Sequence, residues 1–350
     1  MAEEDIYTRL AAKVNFPKSR FIRQVFRLLV TPEEGEMLLA LPATPPEFAA
    51  KYGLDEEAAA AKLDEFVRKG VSIPLTKDGV CRWFCVSSII QVHDATIHAT
   101  LNKRYEPVHD EIIEIWKCFR ETEWFEVLRD AEDLGIMKGR AIPTWSAVKD
   151  DPELQPWENL RTILAQAPAI AAVDCPCRWL QVQRGTCDKP TFVCLSLTQG
   201  SVSYILEQRI GRQLTVEEGY RLLEHCEQAG LIATTSGMGN IKQLCFCETK
   251  ECIILRPQVQ YGYRLWQPSR FRAVPDPTFC TGCGTCTKRC GFGAVTVEKT
   301  SPRARKRRAR VDAEKCFGCG VCAVTCPTGA MKMKRVRPVE HVIPAAAAQS

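Results

Sequence analysis

The chain has 350 residues, 45% of them apolar and 25% charged, with a formal net charge of +5. That length exceeds what one small core serves and suggests two or three domains, while the longest apolar run, near Ile163 to Val173, contains Gln166 and Pro168 and falls short of the roughly 20 residues of a membrane span. No secretory signal is legible at the start, so a cytoplasmic setting is expected, and 19 cysteines there point to thiol ligands in a well-reduced or anaerobic cell, not to disulfides.

A short amino-terminal arm is expected through residue 20. Apolar residues at helical spacing then run from Phe21 to Val30, and again from Glu33 to Leu41 after the helix-starting pair Thr31-Pro32. Pro45-Pro46 opens a helix over Glu47 to Tyr52 that Gly53 ends, and Asp55 starts a longer one through Val67, stopped by Gly70. Ser72 to Leu75 and Cys81 to Val86 predict two strands joined at Lys77-Asp78-Gly79. In this order the elements of residues 21–100 resemble a winged helix-turn-helix domain. The resemblance implies DNA binding, and the charges oppose it. The helix that would enter the major groove carries Asp55, Glu56, Glu57, Asp64 and Glu65 against Lys62, Arg68 and Lys69. Affinity for DNA rests on neutralising phosphates, so docking of a protein or a structural role is the better expectation and nucleic acid is not expected as a partner.

Residues 101–157 are expected to form a helical connector. Within it His109 to Leu134 has an apolar stripe of Ile112, Ile113, Ile115, Trp116, Phe119, Trp124, Phe125, Val127 and Leu128. Cys118 in that stripe, with Cys81 and Cys85 on the wing strand, is expected to be a small buried hydrophobe.

Residues 158–257 hold eight further cysteines in an expected mostly helical middle, with helices over Ile205 to Gly211 and Val216 to Gly230. Asp174-Cys175-Pro176-Cys177-Arg178 is followed by Cys187 and Cys194, then by Cys245-Phe246-Cys247 and Cys252. The stretch resembles a cysteine-rich module found beside ferredoxin domains in proteins of anaerobes, in which a CxCR loop, two later cysteines and a cysteine-dense loop recur, although the last loop here is thinner. Three readings stay open. A third iron-sulfur cluster would take Cys177, Cys187, Cys194 and one of Cys245 or Cys247; structural zinc would use the same thiols; or the pairs Cys175/Cys177 and Cys245/Cys247 are free, redox-active thiols. Arg178 is placed to balance a thiolate-bound cluster. Cys226, beside His225 in a helix, is expected in the core.

Two copies of C-x2-C-x2-C-x3-C close the chain: Cys280, Cys283, Cys286, Cys290 and Cys316, Cys319, Cys322, Cys326, the last followed by Pro327. Three thiolates spaced by two residues on a Gly-rich loop reach three corners of one cubane, and the fourth cysteine is carried to the other cluster. The expected wiring is therefore crossed, with Cys280, Cys283, Cys286 and Cys326 on cluster one and Cys316, Cys319, Cys322 and Cys290 on cluster two. Gly282, Gly284, Gly318 and Gly320 let amide N-H groups approach inorganic sulfide. Gly293-Ala294-Val295 and Gly329-Ala330-Met331 repeat 36 residues apart, marking an internal duplication. Residues 274–337 resemble the bacterial ferredoxins with two 4Fe-4S clusters, which implies a small α+β domain; Gly291 stands where many members of that family have proline. Disulfides and structural zinc account less well for two sets of four evenly graded ligands.

From Arg270 onward 16 Lys or Arg face 5 Asp or Glu, giving +11, and the remainder, 31 against 37, carries −6. Much of the excess lies in Arg303, Arg305, Lys306, Arg307, Arg308 and Arg310, between the two motifs. This run is either a solvated hairpin tip or a dock for an acidic redox partner; it lacks the interleaved aromatics that stack on single-stranded nucleic acid. Pro338 onward is expected to be a loose tail.

The fold class expected is α+β and multidomain, with a winged-helix-like first domain, a mostly helical cysteine-rich middle and a ferredoxin-type end. No dinucleotide loop, P-loop, flavin fingerprint or nucleophile elbow is present, and none of the five histidines is spaced as a metal-binding pair, so independent turnover is not expected. The leading expectation is an electron-transfer subunit or adaptor of a larger oxidoreductase. A redox-responsive regulator and a reductive activator of another protein's cofactor are the alternatives.

Overall fold

A computed structural model describes residues 5–77, 79–101, 109–133, 139–183, 185–236, 241–301 and 306–342. Two compact units result: residues 1–126 with 203–210, and residues 127–202 with 211–350. Among the described residues no helix is long and apolar enough to cross a membrane.

The first unit contains α1 (Ile6–Lys13), α2 (Arg20–Leu29), α3 (Pro32–Leu39), α4 (Pro45–Tyr52), α5 (Glu56–Arg68), the hairpin β1 (Ser72–Lys77) and β2 (Val80–Cys85), α6 (Ile89–Leu101) and α7 (His109–Glu121). Caps set the helix starts. Thr31 and Glu34 bond each other's backbone at the head of α3, Thr44 and Glu47 do the same for α4, and Asp55 caps α5. Lys77 pairs with Val80 across a two-residue turn, as the Asp-Gly signal predicts, with Gly79 left-handed; Asp78 lies outside the described residues. Within the expected arm, residues 6–13 form α1. In α1 Leu10 and Ala11 are fully buried, and Gly35 of α3 lies so close that a methyl group on it would overlap Ile6. Phe16, Trp116, Phe119 and Trp124 pack ring on ring behind it. Cys85 is buried as expected, but Cys81 is half-buried and Cys118 exposed.

α8 (Glu123–Asp133) leads into the second unit, where the expected helical connector gives way to a strand, β3 (Gly139–Ala141), and the short α9 (Trp145–Val148). There follow α10 (Leu160–Gln166), β4 (Ala171–Asp174), α11 (Pro176–Gln183), β5 (Phe192–Ser196), α12 (Gln199–Glu207), whose residues from Ser203 on belong to the first unit, β6 (Gly211–Gln213), α13 (Val216–Ala229), β7 (Ile232–Ser236), β8 (Gln243–Cys247) and α14 (Leu255–Tyr261). The middle is thus not mostly helical. Its strands form one six-stranded sheet in the order β3-β7-β8-β5-β4-β6, with every pairing antiparallel. Ala171, Ala172 and Val173 are all buried, so β4 lacks the polar-apolar alternation that marks a half-exposed strand.

The ferredoxin-type end belongs to the same unit. It comprises β9 (Phe271–Pro275), α15 (Thr285–Arg289), β10 (Val295–Lys299), β11 (Arg307–Val311), α16 (Val321–Val324) and β12 (Met331–Arg335), paired as β9 with β12 and β10 with β11. A buried ion pair, Arg270 to Glu158 at 2.8 Å, joins it to the segment before α10. The start of the expected loose tail is held: Val342 is fully buried and His341 bonds the Pro268 carbonyl at 2.8 Å, while 343–350 lie outside the described residues.

Candidate metal centres

The loops that open after β9 and β11 carry the two cysteine motifs, and each is folded by glycines in the left-handed region. Gly282 (φ +72°) and Gly318 (φ +70°) lie against backbone: a methyl group would overlap the Arg307 carbonyl at the first and the Phe271 carbonyl at the second. The loops can therefore curl tightly under the strands. In one concavity Cys280, Cys283, Cys286 and Cys326 meet Val297, Ala309 and Met331. In the other Cys290, Cys316, Cys319 and Cys322 meet Phe292, Val295, Phe317 and Met333. Four thiols and apolar walls line each, with no carboxylate or imidazole among the lining residues. Such a donor set suits iron-sulfur clusters and not hard cations.

Backbone amides already point at the sulfurs. Ala294 donates to Cys290 Sγ at 3.3 Å, Ala309 to Cys280 Sγ at 3.4 Å and Met331 to Cys326 Sγ at 3.4 Å. Such donors favour the thiolate and the reduced, more negative cluster. The two sites differ in exposure. The Thr285 hydroxyl, helped by the Thr285 amide, holds the exposed Cys283 thiol below its ordinary value, whereas burial pushes Cys319 up to about 12. The cause is packing: the Thr144 amide bonds the Cys319 carbonyl at 2.9 Å, and Gly320 lies under Thr144 and Ala147.

The described part of the basic run lies on β11, beside the first site. Arg307 donates to the Val297 carbonyl at 3.0 Å, Arg308 to the Pro277 carbonyl at 2.9 Å, and exposed Arg310 pairs with Glu298 at 3.2 Å. Lys306 is exposed; Arg303 and Arg305 lie outside the described residues. Beside the second site a cleft of about 580 Å³ opens at Cys290 and Gly291, lined by Lys189, Lys250, Arg256, Lys288 and Arg289, with Glu248.

A third sulfur group lies in the sheet. Cys194 on β5 is directly opposite Cys245 on β8, and Cys247 follows two residues on, on the same face. Cys175 stands at the end of β4, its amide bound to the Thr191 carbonyl at 2.7 Å, and Cys177 in the first turn of α11. Cys175 interacts electrostatically with Cys177 and Cys194, Cys194 and Cys245 with each other and with Cys247, and Cys252 with Cys247 and Cys177, so the six are neighbours. Cys175 and Cys252, outside the expected ligand set, are among these neighbours, and Cys187, within it, sits half-buried on the loop after α11. Cys226 is fully buried on α13, and His225 is exposed. Among the described residues no three His, Cys, Asp or Glu side chains converge closely enough to hold a single metal ion.

No curated protein and no solved structure matches the chain. Residues 279–330 match the family model of the 4Fe-4S dicluster domain, so the carboxy-terminal segment is a ferredoxin-like iron-sulfur domain that binds 4Fe-4S clusters and serves electron transfer.

Proposed function

We propose that the chain is an electron-transfer subunit or adaptor that exchanges single electrons with a larger oxidoreductase of anaerobic metabolism. The observation that carries this is the separation of the eight ferredoxin cysteines into two concavities, each with four thiols. Cys280, Cys283, Cys286 and Cys326 would hold cluster one, and Cys316, Cys319, Cys322 and Cys290 cluster two. A 4Fe-4S cluster gains or loses one electron without making or breaking a substrate bond, and four thiolates leave its iron no open position.

The partner is read as an acidic redox protein. Lys306, Arg307, Arg308 and Arg310 adjoin the first site, and the cationic cleft adjoins the second, so positive potential covers both. The regulator alternative draws little support: Lys62 and Lys69 of the acidic α5 segment are held by Glu34 and Glu65, at 2.6 to 3.1 Å, and are not available to phosphate.

An anaerobic pull-down identifies the partner, and stopped-flow reduction then measures the exchange. Replacing Lys306, Arg307 and Arg308 by alanine should slow the second-order rate about 10-fold or more at low salt and much less at high salt, where screening is strong. An unchanged rate at low salt refutes docking on this face. A preparation without iron after reconstitution refutes the electron-transfer role itself.

A further inference from the structure

The sheet's sulfur group is compact and largely sealed. Cys194 stands opposite Cys245 across β5 and β8, Cys247 follows on the same face of β8, Cys175 and Cys177 lie where β4 runs into α11, and Cys252 follows β8 by five residues. Six thiols gathered there are more than a core needs for packing. Cys175, Cys194, Cys247 and Cys252 are buried and Cys177 and Cys245 half-buried, so little water is left to solvate thiolates without a cationic core.

A buried cation stands in the same place. Arg178 is 1% exposed; one terminal nitrogen donates to the Pro190 carbonyl at 2.5 Å, the other to the Phe246 carbonyl at 2.6 Å, and its Nε has no partner. It directly follows Cys177 and bonds the carbonyl that lies between Cys245 and Cys247. A guanidinium sealed in protein needs an anion, and a 4Fe-4S core with four thiolates is a dianion when oxidised. The Thr234 hydroxyl, 3.4 Å from Cys247 Sγ, is a further donor for such a group.

We propose that this group holds a third iron-sulfur cluster, ligated by four of its six cysteines with Cys194 and Cys245 among them, and that Arg178 supplies the countercharge. The proposal shares its chemistry with the two-cluster reading above but none of its ligands, so the two fail separately.

The test is iron, zinc and acid-labile sulfide per full-length chain after anaerobic reconstitution, with EPR of the dithionite-reduced protein. The wild type should hold about 12 iron atoms. Cys194→Ser and Cys245→Ser should hold about 8, with the signals of the carboxy-terminal pair retained, which also reports that the variants fold. Cys187→Ser should keep the full complement. Arg178→Gln should keep the iron and move the midpoint of the third cluster to lower potential, because an added electron loses its nearby cation. About 8 iron atoms in the wild type, with or without a stoichiometric zinc, overturns the proposal. So does full iron in both Cys194→Ser and Cys245→Ser. Loss of the carboxy-terminal signals from the wild type refutes the two-cluster reading instead.

Discussion

Gly318 and Gly293 hold the same left-handed backbone in different surroundings. At Gly318 (φ +70°) an added methyl group meets the Phe271 carbonyl and the Ser269 hydroxyl, which itself donates to the Gly318 carbonyl at 2.6 Å. At Gly293 (φ +63°) it meets nothing within 4 Å. Gly293→Ala should therefore cost only the left-handed penalty, about 1 to 2 kcal/mol, and keep its iron. Gly318→Ala should cost several times more and lose about half the carboxy-terminal iron, since the loop that carries Cys316 and Cys319 cannot close. Thermal unfolding with iron analysis checks the pair; equal losses would show that backbone freedom, not close approach, sets both positions. The glycines were legible in sequence as wrapping residues, because the repeat placed them beside cysteines twice. Their neighbours were not. Cys283 and Cys319 occupy matching positions of the same motif, yet Cys283 is exposed and Cys319 half-buried, with Thr144, some 140 residues before the first motif, packed on the second.

At the scale of elements, local chemistry was readable and tertiary pairing was not. Thr31, Thr44, Asp55 and Thr215 cap helices where their side chains predict, since a cap needs only residues within one turn. The sheet escaped notice because its strands are three to five residues long and paired out of chain order, and a buried strand such as β4 carries no period to distinguish it from a helix segment. Packing between α3 and α5 yields a pH dependence. Burial alone would raise the Glu34 carboxyl, but the Thr31 amide and the ammonium groups of Lys69 and Lys62 outweigh it and hold it below the usual range; Lys69 and Lys62 hold Glu65 down in the same way. Their folded values are depressed, so the stability they contribute is present above the ordinary glutamate range and lost as pH falls through the lowered values. The first unit should thus weaken on acidification below about pH 4.5. Glu34→Gln should remove about 2 kcal/mol near neutrality, leaving the 4% exposed Lys69 without the Glu34 carboxylate, and should flatten the acid limb of the stability curve. Urea unfolding at several pH values measures both; an acid limb of unchanged slope in the variant would assign the dependence to other carboxylates.

At the scale of the molecule, formal charge shifts from −6 before Arg270 to +11 after it, yet single residues interlock across that shift. Glu158 meets Arg270 in a buried ion pair, and Gly291 meets Thr249. The second contact explains the departure from the ferredoxin pattern at Gly291, since any Cβ there, proline's included, would overlap the Thr249 side chain. Thr249 is buried and lies between Cys247 and Cys252, and Gly291 directly follows Cys290, so this junction brings the sheet's sulfur group and the second ferredoxin site into contact through backbone neighbours. A methyl group at 291 should cost about 1 to 3 kcal/mol by overpacking. If the overlap is the cause, shortening Thr249 must relieve it: Thr249→Ala should be mildly destabilising alone, and the double variant Gly291→Ala with Thr249→Ala should recover most of the loss, a coupling of about 1 kcal/mol or more. Hydrogen exchange localises the effect, with protection of residues 247–252 falling in Gly291→Ala and returning in the double variant. Additive losses, with no restored protection, would separate the two residues energetically and leave Gly291 as a local feature of the ferredoxin loop.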